Sequence, residues 1–190
     1  EILKAGCTTQ VEMSLSLRQA ESYARVAGAW GARGFPGGMI PGTSRLDAIW
    51  FRDDDQALFD SVPETLAEIQ ANFEFGQKLM GAFDGRLMPM MAPHATDTHT
   101  DETMSAIIAA ANTLGTGIQI HLSQRETETE AVRKLQNGLS PTQWLDKLGG
   151  FEGPFLGAHM KALDWSTDPA ILNRHGAVFA HCPSAGGAGG

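Results

Sequence analysis

The sequence predicts an α/β protein with a parallel β-sheet, and three observations lead to that expectation. Short apolar or β-branched runs alternate with longer amphipathic segments along the 190 residues. Several of the longer segments open with helix-capping residues, as in Ser140-Pro141 followed by Gln143. The hydrophobic content of 42% is enough for one sizeable core, so one domain is expected. Strands that alternate with helices in this way are typical of βα units.

The N-terminal part of the chain opens with two predicted strands and the helix between them. The strands are Cys7 to Met13 (CTTQVEM) and Ala32 to Phe35, and the helix covers about Leu17 to Trp30. The run PGGMIPG follows the second strand, and its glycines and prolines favour a turn.

A long connection comes next. Residues 43–60 exceed the usual length of a simple connection and are expected to form a lid or an interface insertion. The acidic run from Asp53 to Asp55 is expected to lie on a solvated loop face. Ser61 and Glu64 are predicted to form a capping box that opens a long helix to about Met80, with a proline in its first turn.

The rest of the chain continues the alternation of strands and helices. Apolar runs predict four further strands, at 87–92, in the run GIQI before His121, at 155–158 and at 177–180. Capping signals and amphipathic spacing predict helices over about 101–114 and 126–136, from Ser140 to the glycines at 149 and 150, and from near Asp168.

Charge and composition narrow the class of partner. The formal net charge of -8 disfavours binding to nucleic acid or to anionic lipid, and a small neutral or basic substrate suits it better. Only Cys7 and Cys182 are present, which offers no disulfide framework and favours a reducing, cytoplasmic location. No apolar run approaches the roughly 18 residues of a membrane span, so no membrane association is expected.

Histidines mark the ends of four predicted strands. His94, His121, His159 and His181 each follow an apolar run directly. One histidine at a strand end is more often structural than functional, but four at successive strand ends are hard to obtain by accident. In a βα barrel the carboxyl ends of the strands converge on one face, where the active site is built. These four histidines are therefore predicted to form a site.

Four motifs carry a resemblance to a known family. In chain order they are MMAPHATDTHTDETM, GIQIHLSQ, SPTQWLDKLGGFEGPFLGAHM and HGAVFAHCPSAGG. Together they resemble the amidohydrolase superfamily, in the branch of cytosine, guanine and S-adenosylhomocysteine deaminases and triazine hydrolases. The resemblance implies a (β/α)8 barrel of the TIM type. A full barrel needs roughly 250 residues, so residues 1–190 are expected to form a partial barrel domain with the second to seventh strand units present and the first and eighth absent.

The resemblance also implies roles for the strand-end histidines. His121 matches the metal ligand after the fifth family strand, and His159 matches a catalytic histidine that contacts the attacking water or the substrate. His94 matches a histidine that reaches the substrate. His181 matches the start of the motif HxPxSN and is expected to bind substrate, although Ala185 and Gly186 depart from the last two positions of that motif.

Gln124 is the main departure from the family pattern. Deaminases of this branch carry glutamate three residues after the metal-binding histidine, because the reaction needs a group that accepts and returns a proton. A carboxamide at this catalytic position can orient a water or a ring nitrogen, but it cannot shuttle a proton. Glu126 and Glu128 follow closely, and the sequence leaves open whether either points into the site.

The resulting expectation is a metal-dependent hydrolase that uses Zn or Fe on a C–N or similar bond of a cyclic amidine, a cyclic amide or an N-heterocycle. The family's HxH pair and its eighth-strand aspartate have no counterpart in this sequence, so completion by further chain segments or by a second copy is expected. One alternative is a catalytically inactive amidohydrolase fragment that acts as an interaction or structural module. Another is a hydrolase of this fold with a different metal arrangement.

Overall fold

A parallel sheet organises the part of the chain that the structure, a computed structural model, describes: residues 3–43 and 55–183. Six strands lie side by side in chain order, and each pairs with its neighbours in parallel. The predicted α/β class and the parallel sheet are therefore confirmed. The strands are β1 (Thr9–Ser14), β2 (Arg33–Ile40), β3 (Met90–Pro93), β4 (Gly117–Leu122), β5 (Phe155–His159) and β6 (Val178–Ala180).

Helices connect the strands, as expected for βα units. A short 3₁₀ turn, Thr96–Thr98, also lies between β3 and the helix that follows it. The helices are α1 (Leu17–Ala29), α2 (Gln56–Asp60), α3 (Val62–Leu79), α4 (Asp101–Leu114), α5 (Glu126–Leu135), α6 (Pro141–Lys147) and α7 (Asp168–His175).

The sheet is strongly curved, and one side chain demonstrates this. Gln119 Nε2 on β4 lies 3.1 Å from the carbonyl oxygen of Glu12 on β1 and 3.3 Å from that of Phe35 on β2. Neighbouring strands are about 4.8 Å apart, so three strand spacings would separate β1 from β4 by about 14 Å in a flat sheet. The contact requires the sheet to curl toward the face that carries Gln119. This inward face is the interior of a partial barrel.

The main apolar core lies on the opposite, outer face of the sheet. Ile118, Ile120 and Leu122 of β4 pack there with residues of α4 and with Trp144 of α6. Side chains along a strand alternate between the two faces, so Gln119 and His121 point to the inside of the curve. The alternation therefore separates an apolar outer layer from a polar inner face.

The turn predicted at PGGMIPG is wrong, because β2 continues through Pro36, Gly37 and Gly38 to Ile40. The glycines serve close packing instead of a turn. A Cβ atom on Gly37 would lie 2.6 Å from the carbonyl oxygen of Met90 and 2.8 Å from Gln119 Nε2. Strand glycines commonly mark such close approaches.

The predicted capping box at Ser61 is also wrong. The Ser61 hydroxyl donates to the carbonyl oxygen of Ala57 at 2.7 Å and caps no amide of α3. Ser61 is the single residue between α2 and α3, so it is both the C-cap of α2 and the N-cap of α3, and its backbone is already helical. A capping serine needs an extended backbone to reach the N–H groups of the first turn, and the unpredicted helix α2 prevents this.

The proposed lid at residues 43–60 lies largely outside the described residues, which resume at Asp55. The lid therefore remains a prediction. Asp55 itself pairs with Lys134 Nζ of α5 at 2.7 Å, so this member of the acidic run contacts the barrel. Asp53 and Asp54 lie outside the described residues. Among the described residues, no helix has the length and apolar character needed to cross a membrane.

Candidate active site

Three of the four strand-end histidines meet at the carboxyl end of the sheet. The rings of His94 and His121 lie 5.4 Å apart in an edge-on arrangement. The rings of His121 and His159 lie 5.2 Å apart with a tilt of 53°. His121 of β4 is therefore central in this group, which we call the histidine cluster: His94, His121 and His159. The convergence expected from the strand ends is present for these residues.

Backbone hydrogen bonds fix the cluster on the β3 and β4 side. The His94 N–H donates to the carbonyl oxygen of Ile40 at 2.9 Å, which extends the sheet beyond the end of β3. The His121 N–H donates in turn to the carbonyl oxygen of His94 at 3.1 Å. These two bonds hold the first two histidines on neighbouring rigid segments, so their separation does not depend on a mobile loop.

His159 joins the cluster through an unusual backbone conformation. It is the register partner of Leu122, whose side chain packs in the outer core. Register partners in a parallel sheet point to the same face, so a regular strand would direct His159 outward. Its φ of +75° breaks the alternation, and Met160 follows with φ +47°. Left-handed backbone in non-glycine residues costs about 1–3 kcal/mol and concentrates at functional sites.

Burial keeps the histidine cluster neutral. Burial, together with the neighbouring His94 and His159, lowers the pKa of His121 to about 4. The pKa of His94 is lowered mainly by burial and to a lesser extent by the charge of Arg125. The pKa of His159 is likewise lowered mainly by burial and less by the charge of Lys161. The rings are therefore uncharged near neutral pH, which is the form in which imidazole binds metal ions.

Two nitrogens of the cluster are candidates for a ligand. Among the described residues, the Nδ1 atoms of His94 and His121 are buried without a hydrogen-bond partner. Such atoms are rare and call for an explanation such as an ion or a bound molecule. The donor type suits Zn or Fe. However, no group of three or more His, Cys, Asp or Glu side chains within residues 3–43 and 55–183 is arranged to hold a metal ion. The described residues can supply only part of a ligand set.

His181 is not brought into the histidine cluster. It follows β6 at the edge of the described sheet, is exposed, and packs its ring 5.8 Å from that of Phe179. Ser184, Ala185 and Gly186 of the same motif lie outside the described residues. A substrate-binding role for His181 thus stays a prediction.

Gln124 lies in the turn after β4, three residues beyond His121, and is half-buried. Its backbone N–H donates to Glu128 Oε2 at 2.7 Å. Of the two neighbouring glutamates, Glu126 is exposed and Glu128 is only 1% exposed. Gln124 and Glu128 are thus directly connected, and Glu126 is directed away to solvent.

Glu128 contacts the site, which the sequence alone did not predict. Burial, and after it the nearby Asp97, raises its pKa to about 7, although the hydrogen bonds from Thr96, Gln124 and Ser123 act in the opposite direction. The available signal was spacing: Glu128 lies four residues before the buried Val132, on the inward face of α5.

Comparison with known proteins places this geometry in a family. Residues 1–187 match the amidohydrolase family. Two relatives are 5-methylthioadenosine/S-adenosylhomocysteine deaminases. That of Desulfitobacterium hafniense is 27% identical over 183 residues, and that of Pelotomaculum thermopropionicum is 31% identical over 185. Each match covers 96% of this chain and 37% of the relative, so the chain spans just over a third of their length.

Solved structures support the fold. An adenosine deaminase from Xanthomonas campestris with bound Zn superposes with a TM-score of 0.70 at 20% identity, over 98% of this chain and 38% of that one. A guanine deaminase from C. acetobutylicum with bound guanine gives a TM-score of 0.75 at 16% identity, over 97% and 42%. The predicted partial (β/α)8 barrel is confirmed. This chain belongs to the amidohydrolase family.

Proposed function

We propose that the protein carrying this chain is a hydrolase that cleaves a C–N bond of a small N-heterocycle or cyclic amidine. The observation that supports this most directly is the histidine cluster, which presents neutral rings at the carboxyl ends of β3, β4 and β5. In βα barrels the active site is built at this end of the strands. The relatives named as deaminases of methylthioadenosine and S-adenosylhomocysteine suggest an aminopurine nucleoside as the first substrate class to test.

The proposal includes a divalent metal, Zn or Fe, with His121 as one ligand. The buried Nδ1 of His121, with no partner among the described residues, is the atom that supports this assignment. When bound, such an ion supplies Lewis acidity, which brings the pKa of a water close to neutrality. Further ligands would come from outside the described residues, since these contain no complete ligand group.

His159 and His94 would act on the nucleophile and the substrate. His159 lies beside His121, with its pKa lowered by burial, so it is available as a neutral proton acceptor near neutral pH. His94, on the other side of His121, would hydrogen-bond the heterocycle through its unpartnered Nδ1. His181, which follows β6, would also bind the substrate.

Gln124 would orient the water or a ring nitrogen without taking up a proton. The proton that a departing amine needs would then pass through His159, the nearest neutral base to His121. A substrate whose leaving group departs with little protonation would fit this arrangement best. A catalytically inactive interaction module is not favoured, because the strained backbone at His159 brings its ring into the histidine cluster and such strain concentrates at functional sites.

Cytoplasmic location and self-association are further parts of the proposal. Cys7 and Cys182 are both free thiols, which suits a reducing compartment. At the two edges of the described sheet, Val11 on β1 and Val178 and Phe179 on β6 are 40%, 56% and 53% exposed. Further strands or a second copy would cover these apolar edges. Size-exclusion chromatography with light scattering on the full-length protein separates the two cases.

Ammonia release tests the function. The full-length protein that contains this chain is incubated with 5'-methylthioadenosine, S-adenosylhomocysteine and guanine, and ammonia is measured by a coupled assay. We expect release with at least one probe, and loss of that release in His121→Ala. His175→Ala is the control, because His175 lies at the end of α7 and pairs with Asp146. No release with any probe, or equal release in H121A and wild type, would contradict the proposal.

A further inference from the structure

Glu128, in the first turn of α5, joins two segments of the active site. Its Oε1 accepts hydrogen bonds from Thr96 Oγ1 at 2.6 Å and from the Ser123 N–H at 3.0 Å. Its Oε2 accepts from the Gln124 N–H at 2.7 Å. Thr96 belongs to the turn after β3, which follows His94, and the other two donors form the turn after β4. Both carboxylate oxygens are therefore engaged with segments that carry site residues.

Ordinary helix capping does not account for this arrangement. A glutamate at the third position of a helix usually bonds the N–H of the capping residue, which for α5 is Arg125. The carboxylate of Glu128 instead reaches the amides of Ser123 and Gln124, before that residue. It also bonds Thr96, 32 residues earlier in the chain. A residue that served only α5 would need neither contact.

The turn that Glu128 binds is strained and is shared with β5. Ser123 has a φ of +47°, in the left-handed region. Its carbonyl oxygen accepts from the N–H groups of Lys161 and Ala162 at 2.9 and 2.8 Å, two and three residues after His159. Thr129, next to Glu128, donates its hydroxyl to the carbonyl oxygen of Ala162 at 2.9 Å. The first turn of α5 thus contacts the chain segments that follow β3, β4 and β5.

Burial of a carboxylate also needs a reason. Glu128 is 1% exposed and lies near Asp97, which is 2% exposed. A buried carboxylate is costly unless it is hydrogen-bonded, and here three donors from the two turns satisfy it. In its ionised form Glu128 makes charge-assisted hydrogen bonds, which are about twice as strong as neutral ones, so it holds the two turns more firmly than a neutral side chain would.

We propose that Glu128 is a positioning residue: its carboxylate fixes the turn after β4 to the turn after β3 and thereby sets the relative placement of His94, His121 and Gln124. This inference rests on the proposed hydrolytic function for its catalytic consequence. Its structural part does not depend on that function. Misplacement of reacting groups by about 1 Å can lower a rate by about 100-fold, so loss of the carboxylate should lower kcat far more than it changes KM.

The test compares Glu128→Gln with Glu130→Gln in the full-length protein. Glu130 is an exposed glutamate on the same helix, so it controls for loss of charge. A carboxamide at position 128 has one acceptor oxygen where the carboxylate has two. Its NH2 group would therefore face a donor, and at least one of the three hydrogen bonds would be lost. We expect amide hydrogen exchange at Ser123 and Gln124 to be at least about tenfold faster in E128Q only. With the probe that releases most ammonia, kcat should fall about 100-fold, with KM within about threefold of wild type.

A second pair of variants covers the case in which E128Q does not fold. Thr96→Val replaces the hydroxyl that bonds Glu128 with a methyl group, whereas Thr96→Ser keeps the hydroxyl. The control is Thr98→Val, because the Thr98 hydroxyl bonds Ala95 within its own turn. We expect kcat to fall at least about tenfold in T96V and to recover in T96S. A T96V enzyme with the kcat of T98V would overturn the proposal.

The outcomes also separate the positioning role from the proposed function. If wild type hydrolyses no probe but E128Q loses exchange protection at Ser123 and Gln124, the hydrolytic proposal fails and the positioning of the turn by Glu128 is supported. If wild type is active and E128Q keeps both protection and kcat, the positioning role is overturned and the function stands.

Discussion

His121 and His94 are joined twice, once through the backbone and once through their rings. The His121 N–H donates to the carbonyl oxygen of His94 at 3.1 Å, and the two rings meet edge-on at 5.4 Å. The ends of β3 and β4 therefore form one rigid platform. On this platform the imidazoles are neutral and partly unpartnered, a state suited to binding an external ligand.

Packing at Gly37 gives a first prediction, on the stability of the platform. A methyl group in Gly37→Ala would lie 2.6 Å from the carbonyl oxygen of Met90 and 2.8 Å from Ala92 Cβ, both on β3. Overpacking of this kind costs about 1–3 kcal/mol. Gly153→Ala is the control, because its added methyl group would come no closer than 3.2 Å, to the carbonyl oxygen of Thr116. Urea unfolding should show that the free energy of unfolding falls more in G37A than in G153A. Equal decreases in the two variants would contradict this packing.

Helix α4 and the strand at Gly37 show which parts of the fold the sequence predicts and which it does not. Helix α4 begins and ends where predicted, Asp101–Leu114, because Thr100 caps its start and Gly115 adopts the left-handed conformation at its end. Both signals are local. At Gly37 and Gly38 the deciding contacts come from β3, β4 and distant helices, so a glycine-rich strand was mistaken for a turn.

The candidate site was predictable to a similar extent. Strand ends located His94, His121 and His159, since the carboxyl ends of parallel strands must meet. The positive φ that turns the His159 side chain toward the cluster depends on the tertiary fold, and no local sequence pattern predicts it. Glu128 lies in the run ETETE, whose other two glutamates, Glu126 and Glu130, are exposed, and only its contacts in the folded chain distinguish it from them.

The buried His99 predicts a pH dependence of stability. Burial lowers its pKa from 6.5 to about 3. Between these values the unfolded chain binds a proton at His99 that the folded chain does not, so the free energy of unfolding rises with pH and is lost on acidification. His99→Asn should reduce this slope between pH 4 and 6 by up to about 1.4 kcal/mol per pH unit. The exposed His181 provides the control, His181→Asn. Equal slopes for wild type and H99N would refute the assignment.

Gln124 gives a prediction on the reaction itself. Gln124→Glu would add a group that can accept and return a proton, three residues after His121, and general acid–base catalysis contributes about 100-fold or more. We expect Q124E to raise kcat for ammonia release from an aminopurine probe at least about tenfold, with a new acidic limb in the pH profile. The control is Gln70→Glu on the exposed face of α3. An unchanged rate and pH profile in Q124E would show that this side chain does not face the reacting atoms.

Metal content is the decisive measurement of whether His121 anchors a metal-dependent site. The full-length protein, His121→Ala and His175→Ala are loaded with Zn, dialysed and measured by inductively coupled plasma mass spectrometry, with circular dichroism to verify folding. We expect near-stoichiometric Zn in wild type and in H175A, and at least about a tenfold loss of affinity in H121A, since a direct ligand is removed. Folded wild type that retains no metal, or H121A that retains as much as wild type, would contradict it.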